Sequence, residues 1–256
     1  MRLRAEVYTR EQLSEALGDP RIELIYTPIS FLSNSLLPEA ERLVAVPPVF
    51  LGDCEEAVAG RLLAVREMGF TKALAHTVGH IELLRRTGFE IFGGVRLNCL
   101  NSETLSFLAG CGVRDTVVSS ELTARQMNIL KKPFPIGFLA YGFLPLMITR
   151  RCPIRDGKPC GTVCCGKSVT DRTGRKMRVI CSENTAEILN SDALDLGDRL
   201  DAFQNADFAV LKFTVEKKVE PILSAYAEGR RTGSEPFTRG LYFRGLENDG
   251  ARKERT

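Results

Sequence analysis

Short runs of apolar and β-branched residues alternate along the chain with segments whose apolar positions recur at helical spacing. The first strand-like run, residues 4–8, is followed by a helical pattern over 10–17, for which Thr9 is a predicted N-cap. Glycine closes two of the later helices, at Gly69 and Gly88. Further strands are predicted at 22–27, 42–46, 72–75, 90–97, 115–119, 134–141 and 208–213, and further helices at 53–68, 79–87, 102–109, 123–130 and 216–228.

Eight strand-led units in alternation are typical of parallel strands joined by right-handed crossovers. The pattern therefore predicts a TIM-like (β/α)8 barrel, with an open doubly wound sheet as the alternative. A cysteine-rich insertion takes the place of the helix expected after the seventh strand. We expect barrel strands one to seven in 1–146, a cluster-binding insertion in 147–196, the last barrel unit in 197–246 and a charged, disordered tail in 247–256.

Five of the eight cysteines lie in the segment 145–196, which has no helical or alternating apolar period. Four convergent thiolates can hold either a tetrahedral zinc ion or an iron-sulfur cluster. Spacing alone does not separate the two, but two CxxC knuckles, usual for structural zinc, are missing. The remaining cysteines, Cys54, Cys99 and Cys111, fall in regular patterns that indicate ordinary packing.

Charge and hydropathy limit the partners and the cellular location that we expect for the protein. The 256 residues carry a formal charge of +3, which is too small an excess to indicate a nucleic-acid partner by itself. The start of the chain lacks an apolar signal region, and no apolar run approaches the roughly 18 to 20 residues that cross a bilayer. We therefore expect a cytoplasmic protein without a membrane span, in which thiols stay reduced and serve as ligands.

Barrel enzymes carry their sites at the C-terminal ends of the strands. Polar residues at the predicted strand ends are therefore candidates for function, although strand ends are also polar wherever they meet water. These candidates are Tyr26, His76, Asn98, Asn101, Glu121, Tyr141, Lys212 and Thr214.

Two motifs have the spacing of known binding sites but lack the surrounding residues or elements that those sites need. Residues 161–168 fit the phosphate-binding pattern G-x-x-x-x-G-K-[ST], but the strand before it and the helix after it are missing. His76 and His80 stand four residues apart, yet the glutamate of a helical H-E-x-x-H zinc site is absent. We predict His76 as an acid-base or substrate contact at the rim and His80 as an exposed residue in the first turn of a helix.

A series of short motifs in fixed order resembles the collagenase-like peptidases of family U-32. The likeness covers most of the chain and is carried by 141–147 (YGFLPLM), 149–153 (TRRCP), 170–174 (TDRTG), 188–191 (ILNS), 211–214 (LKFT) and 237–240 (FTRG). Upstream, 97–98 with Asn101 and 119–122 (SSEL) are similar to the family's strand ends. The Gly-rich segment around the first cysteine of the best known peptidase members is not reproduced.

The resemblance implies an enzyme with a [4Fe-4S] cluster, because better understood relatives are oxygen-independent hydroxylation factors for RNA or the ubiquinone ring, with prephenate as the implicated oxygen source. The ligands implied are Cys152, Cys160, Cys164 and Cys181, with Cys165 as the alternate third ligand. The family name also implies a second possibility, a peptidase. A third is a non-catalytic factor in which the cysteines hold structural zinc.

The residues expected to act beside the cluster are His76, Glu121, Tyr141, Arg150 and Arg172. Guanidinium groups pair with carboxylates in a bidentate manner, so the arginines suit a small acidic cosubstrate such as prephenate. RNA or a partner subunit of the same family are the other expected partners. No nucleophile-base pair for hydrolysis stands out in the sequence.

Overall fold

The computed structural model describes residues 1–154, 168–182, 185–233 and 236–245. Within these ranges the structure does not describe the side chains of Asp53 and Ser182. Several predictions fall outside the described residues. They concern Cys160, Cys164, Cys165, the phosphate-loop pattern before Ser168 and the predicted tail.

The described part of the chain forms twelve strands and six α-helices. The strands are β1 (Arg2–Glu6), β2 (Ile22–Pro28), β3 (Leu43–Val46), β4 (Lys72–Ala75), β5 (Glu90–Gly93), β6 (Val113–Val117), β7 (Ile136–Thr149), β8 (Ser168–Thr170), β9 (Lys176–Ser182), β10 (Thr185–Asp195), β11 (Phe208–Lys212) and β12 (Phe237–Thr238). The helices are α1 (Arg10–Leu17), α2 (Glu55–Met68), α3 (Val78–Arg86), α4 (Ser102–Gly110), α5 (Ala124–Asn128) and α6 (Glu220–Ala227). None of these helices has the length and apolar character of a bilayer span.

Eight of the strands close into a parallel barrel surrounded by helices, which confirms the predicted TIM-like fold. β1 to β7 pair in chain order, and β11 closes the ring by pairing in parallel with both β7 and β1. The C-terminal ends of these strands meet at one face, which we call the mouth of the barrel.

β7 is longer than predicted because it leaves the barrel and continues beyond it. Its first part, up to Tyr141, pairs with β11, and its second part pairs in antiparallel fashion with β10. Gly142 stands at the change of direction with a φ of 117°, and an added Cβ there would lie 2.2 Å from the carbonyl oxygen of Lys212. Only glycine meets both conditions, so this residue permits the strand to turn out of the barrel.

The second part of β7, together with β10, β9 and β8, forms an antiparallel sheet that we call the extension. It replaces the helix that would follow the seventh strand, as the sequence predicts. The turn between β8 and β9 is fixed by the Asp171 carboxylate, which accepts hydrogen bonds from the backbone amides of Thr173 and Arg175. Gly174, with a φ of 83°, completes this turn.

Polar residues fill part of the barrel interior. The Arg4 guanidinium is 3% exposed, pairs with Asp115 at 2.8 Å and donates to the Tyr26 hydroxyl at 2.9 Å. It also stacks over the Phe208 ring, 3.5 Å from the ring centre. The Phe208 ring in turn covers Gly137 of β7, whose Cβ position lies 2.2 Å from the ring. The interior therefore requires a residue without a side chain at position 137.

The predicted helix 10–17 is confirmed with Thr9 as its N-cap, and Gly69 and Gly88 adopt the left-handed conformation of helix ends. The bounds of several strands differ from the prediction. β5 ends at Gly93 rather than at residue 97, because a 3-10 helix, Val95–Leu97, follows. After β2 the chain forms the 3-10 helix Asn34–Arg42, which contains Pro38.

The packing of Phe208 on Gly137 predicts that alanine at position 137 destabilises the protein, whereas alanine at position 110 does not. Gly137→Ala forces the buried ring to shift and should lower the free energy of unfolding by about 1–3 kcal/mol in urea denaturation. Gly110→Ala is the control, since an added Cβ there meets nothing within 4 Å. It should be neutral or stabilising by about 0.4–1 kcal/mol. Equal losses in both variants would contradict the described packing.

Candidate functional site

A small cavity of about 40 Å³ lies at the mouth of the barrel, where β1, β2, β3 and β4 end. We call it the mouth cavity. The strand ends and the following turns supply an apolar wall, and β10 of the extension covers it from the other side. Its lining residues are Glu6, Val7, Tyr8, Pro28, Val46, Pro47, Pro48, Val49, His76, Thr185 and Glu187.

Lys212, at the end of β11, is the buried cation of this region. Its side chain is 1% exposed, and its Nζ lies 3.2 Å from Glu6 Oε1 and 3.8 Å from Glu187 Oε2. Burial by itself lowers the pKa of Lys212, but the two carboxylates and the nearby Tyr8 outweigh burial and raise it. Lys212 is therefore a permanent charge, since a nucleophilic amine needs a lowered pKa.

Tyr8 connects the charges to the cavity wall. Its hydroxyl donates to Glu6 Oε1 at 3.1 Å, and the Lys212 ammonium lies 5.0 Å from the centre of its ring. Burial raises the pKa of Tyr8, and the Lys212 charge lowers it less than burial raises it. Tyr8 therefore stays protonated and acts as a hydrogen-bond donor to Glu6.

Glu187 brings the extension into the same charge cluster. It is 3% exposed, and besides Lys212 it contacts Arg96, whose Nη2 lies 2.6 Å from Glu187 Oε2. Arg96 lies in the 3-10 helix that follows β5. Two cations from the barrel thus meet one carboxylate from β10, and Glu6 balances the remaining charge.

His76 follows β4 and lines the mouth cavity with a neutral ring. It is 4% exposed, and its Nδ1 has no hydrogen-bond partner among the described residues. Burial lowers its pKa well below the usual value, and the cations Arg96 and Lys212 lower it further. His76 is therefore a neutral imidazole in the cavity wall, and its Nδ1 lies beside Gly94, 2.8 Å from the position that a Cβ would take there.

His80 lies in the first turn of α3, as predicted, but it is buried rather than exposed and supports His76. It is fully buried in α3, and its Nδ1 accepts a hydrogen bond from the His76 backbone amide at 3.2 Å. Burial lowers its pKa to about 4. The amide that would be unpaired after the end of β4 is thereby satisfied.

The two described cysteines of the predicted ligand set lie at one end of the extension. Cys152 follows the end of β7 at Thr149, and Cys181 pairs across β9 and β10 with Ala186, which pairs with Thr149. Two strand spacings of about 4.8 Å place Thr149 and Cys181 about 10 Å apart. Both cysteines are half-buried.

Strand alternation separates Cys181 from the mouth cavity. Thr185 and Glu187 line the cavity, so Ala186 between them projects from the other face of β10. Cys181 is directly opposite Ala186 and therefore projects from that other face too. The thiol lies beside the mouth but behind the sheet that covers it.

Arg150 borders a second cavity of about 190 Å³, which we call the outer cavity. It lies between the segment that precedes α2 and the end of β7, and Pro48 and Thr185 separate it from the mouth cavity because they line both. Its other lining residues are Phe50, Leu51, Cys54, Ala57, Val58 and Arg61. The outer cavity is thus a mainly apolar space with two arginines.

Three other predicted site residues are outside the lining of the mouth cavity. Tyr141 is 3% exposed and packs in the core against Tyr226 and Phe213, with ring centres 6.0 Å apart. Glu121 is exposed in the loop after β6. Arg172 is exposed in the turn before β9, and an extended strand of this length places it about 17 Å from Cys181.

Of the other strand-end candidates, Lys212 alone belongs to the charge cluster at the mouth. Tyr26 lies inside the barrel with Arg4, and Asn101 is the N-cap of α4, where it accepts from the Thr104 amide at 2.8 Å. Asn98 adopts a left-handed φ of 51° at the end of a 3-10 helix. Thr214 is 5% exposed just after β11.

Sequence reasoning did not find Glu6, Arg96 or Glu187. Glu6 was placed inside the first strand, which in fact ends there, so a shorter strand would have identified it. Arg96 fell inside the predicted fifth strand. Glu187 gave no signal, since its contact with the barrel depends on how β10 folds back over the mouth.

No family model and no curated protein sequence matches the chain. Among the described residues, no group of three or more His, Cys, Asp or Glu side chains is arranged to hold a metal ion. Three of the five cysteines proposed as ligands or alternate ligand lie outside those residues.

The neutral His76 predicts how stability depends on pH. Both histidines of the chain have lowered pKa values, so the unfolded state binds protons near pH 6.5 that the folded state does not. Stability therefore falls as the pH drops below about 6.5.

Replacing His76 with Gln should remove one of these protons and reduce the fall by about 1.4 kcal/mol per pH unit between about pH 6 and 5. Urea unfolding of the wild type and His76→Gln at several pH values measures this difference. Carboxylates titrate in both proteins and cancel in the comparison. Parallel curves for the two proteins would show that His76 is protonated in the folded state.

Proposed function

We propose that this protein is an iron-sulfur enzyme for oxygen-independent hydroxylation of RNA or a small aromatic substrate, with its reaction centre at the barrel mouth. The proposal is supported by the resemblance to family U-32. It is supported further by the position of Cys152 and Cys181 at one end of the extension that also contributes Glu187 to the mouth cavity.

The donor set fits a cluster by its chemistry. Cys152 and Cys181 are 29 positions apart in sequence and come to the same end of one sheet, and both are half-buried, as cluster ligands must be when loops shield them. Cys160 and either Cys164 or Cys165 would complete four thiolates. Such a cluster, when bound, supplies one-electron chemistry to the site.

The protein's own residues prepare the mouth for an acidic cosubstrate. Lys212 provides a buried positive charge and Arg96 a half-buried one, and a low local dielectric makes such charges effective in holding an anion. His76 adds a neutral imidazole to the cavity wall, which leaves the positive charges of Lys212 and Arg96 without competition from a third cation. β10 covers one side of the cavity through Thr185 and Glu187.

The charge of the mouth does not favour the hydrolytic alternative. Lys212 stays protonated, and His76 has no hydrogen bond to a hydroxyl or thiol among the described residues. A peptidase needs a nucleophile next to a base, or an activated water. Gelatin digestion by anaerobically prepared protein, lost on replacing His76 with Gln, would be the observation that favours a peptidase.

Iron and acid-labile sulfide analysis of anaerobically purified protein tests the proposal. The wild type should contain about four irons per chain and absorb visible light. Cys152→Ser should lose this absorption. Cys111→Ser is the matched control and should keep it, because Cys111 is half-buried like Cys152 but lies between α4 and the start of β6, at the barrel face opposite the mouth. Colourless wild type with stoichiometric zinc would refute the cluster.

A further inference from the structure

The contact between Glu187 and its two cations is close but poorly aligned. Glu187 Oε2 lies 2.6 Å from Arg96 Nη2 and 3.8 Å from Lys212 Nζ. Neither Glu187 Oε2 nor Arg96 Nη2 makes a hydrogen bond of normal geometry with any described residue. The two atoms therefore attract each other as charges without the angle that a hydrogen bond requires.

The ion pair between Arg96 and Glu187 therefore stabilises the buried carboxylate only weakly. Burying two charges costs several kcal/mol each, and the attraction offsets this only when the geometry is good and the remaining hydrogen bonds are made. Arginine normally binds a carboxylate through two parallel hydrogen bonds. A carboxylate that is free to orient can make those bonds with Arg96, whereas Glu187 is limited by its place on β10.

The cations and the carboxylate belong to different parts of the fold. Arg96 and Lys212 are anchored to the barrel by β5 and β11, and Lys212 keeps Glu6 as a second partner at 3.2 Å. Glu187 is on the extension, outside the closed barrel. Withdrawing Glu187 would thus leave the two cations in place and open to the cavity.

The size of the cavity requires such a withdrawal. A water needs roughly 10–15 Å³ of this space, so about 40 Å³ holds a few waters and no organic acid. The wall on the barrel side is apolar, with Val7, Pro28, Val46 and Pro47. An enlarged cavity would offer an apolar wall next to two cations.

We propose that Arg96 and Lys212 form the binding site for the carboxylate of a small organic acid with an apolar body, and that Glu187 occupies this site when the acid is absent. The inference rests on the proposed function only in treating the acid as the cosubstrate. Glu187 then acts as an internal competitor, and binding of the acid displaces the edge of β10 that covers the mouth.

Binding of benzoate to the full chain, measured by titration calorimetry, tests the site, with benzamide as the neutral probe of the same shape. Glu187→Gln keeps the shape of the side chain and removes the competing charge. It should bind benzoate at least tenfold more tightly than the wild type, while benzamide binding stays unchanged. Glu90→Gln, which removes a carboxylate paired with Arg114 at the opposite end of the barrel, should leave both affinities unchanged.

The gain should depend on Arg96, so Arg96→Gln combined with Glu187→Gln should lose it. The site is refuted if Glu187→Gln fails to tighten benzoate binding, if benzamide gains equally, or if the double variant keeps the gain. In the wild type, benzoate should also speed amide hydrogen exchange in residues 185–189 and benzamide should not. This measurement decides the matter should a variant fail to fold, and unchanged exchange would overturn the proposal.

Iron content measured on the same preparations separates the two proposals. Protein with zinc in place of iron that binds benzoate as expected would refute the cluster and support the carboxylate site. Iron-loaded protein that fails the benzoate tests would support the cluster and refute the carboxylate site.

Discussion

A protonated amine buried at the mouth of the barrel is the constraint on which the site depends. Lys212 is 1% exposed and cannot stay charged there without carboxylates close by. Glu6 comes from the barrel, whereas Glu187 comes from the extension, and Glu187 also contacts Arg96. The charge balance therefore joins the extension to the barrel and sets the covered state of the mouth cavity.

One glycine makes that arrangement possible. Gly142 permits β7 to leave the barrel beside the backbone of Lys212, and the strand then carries the chain to Cys152. β10 returns along the same strand, with Glu187 facing the mouth and the position next to it facing Cys181. The cysteine end of the extension and the charged mouth are thus neighbours on opposite faces of one sheet. A cluster bound there would act on the mouth through the sheet rather than by contact.

The barrel could be predicted from the sequence because its strands and helices are local patterns closed by caps and glycines. The place of the extension after the seventh strand could be predicted too, but its strands could not, because β8 to β10 depend on pairing between distant residues and the segment has no regular period. The same dependence on long-range pairing explains which site residues could be predicted from the sequence. His76 and Lys212 stand at strand ends, where barrel chemistry is expected, whereas Glu187 becomes functional only through the fold-back of β10. Tyr141 was expected at the site for its strand-end position, but it packs in the core against Tyr226.

The central proposal is that the extension holds a [4Fe-4S] cluster beside a charged barrel mouth. Mössbauer spectroscopy of protein prepared anaerobically with iron-57 tests it most directly, because it identifies the type of iron centre and not only the amount of iron. The account predicts the signal of a [4Fe-4S] cluster in the wild type and its loss in Cys181→Ser. Iron present only as mononuclear or adventitious species, or a cluster signal unchanged in Cys181→Ser, would contradict it.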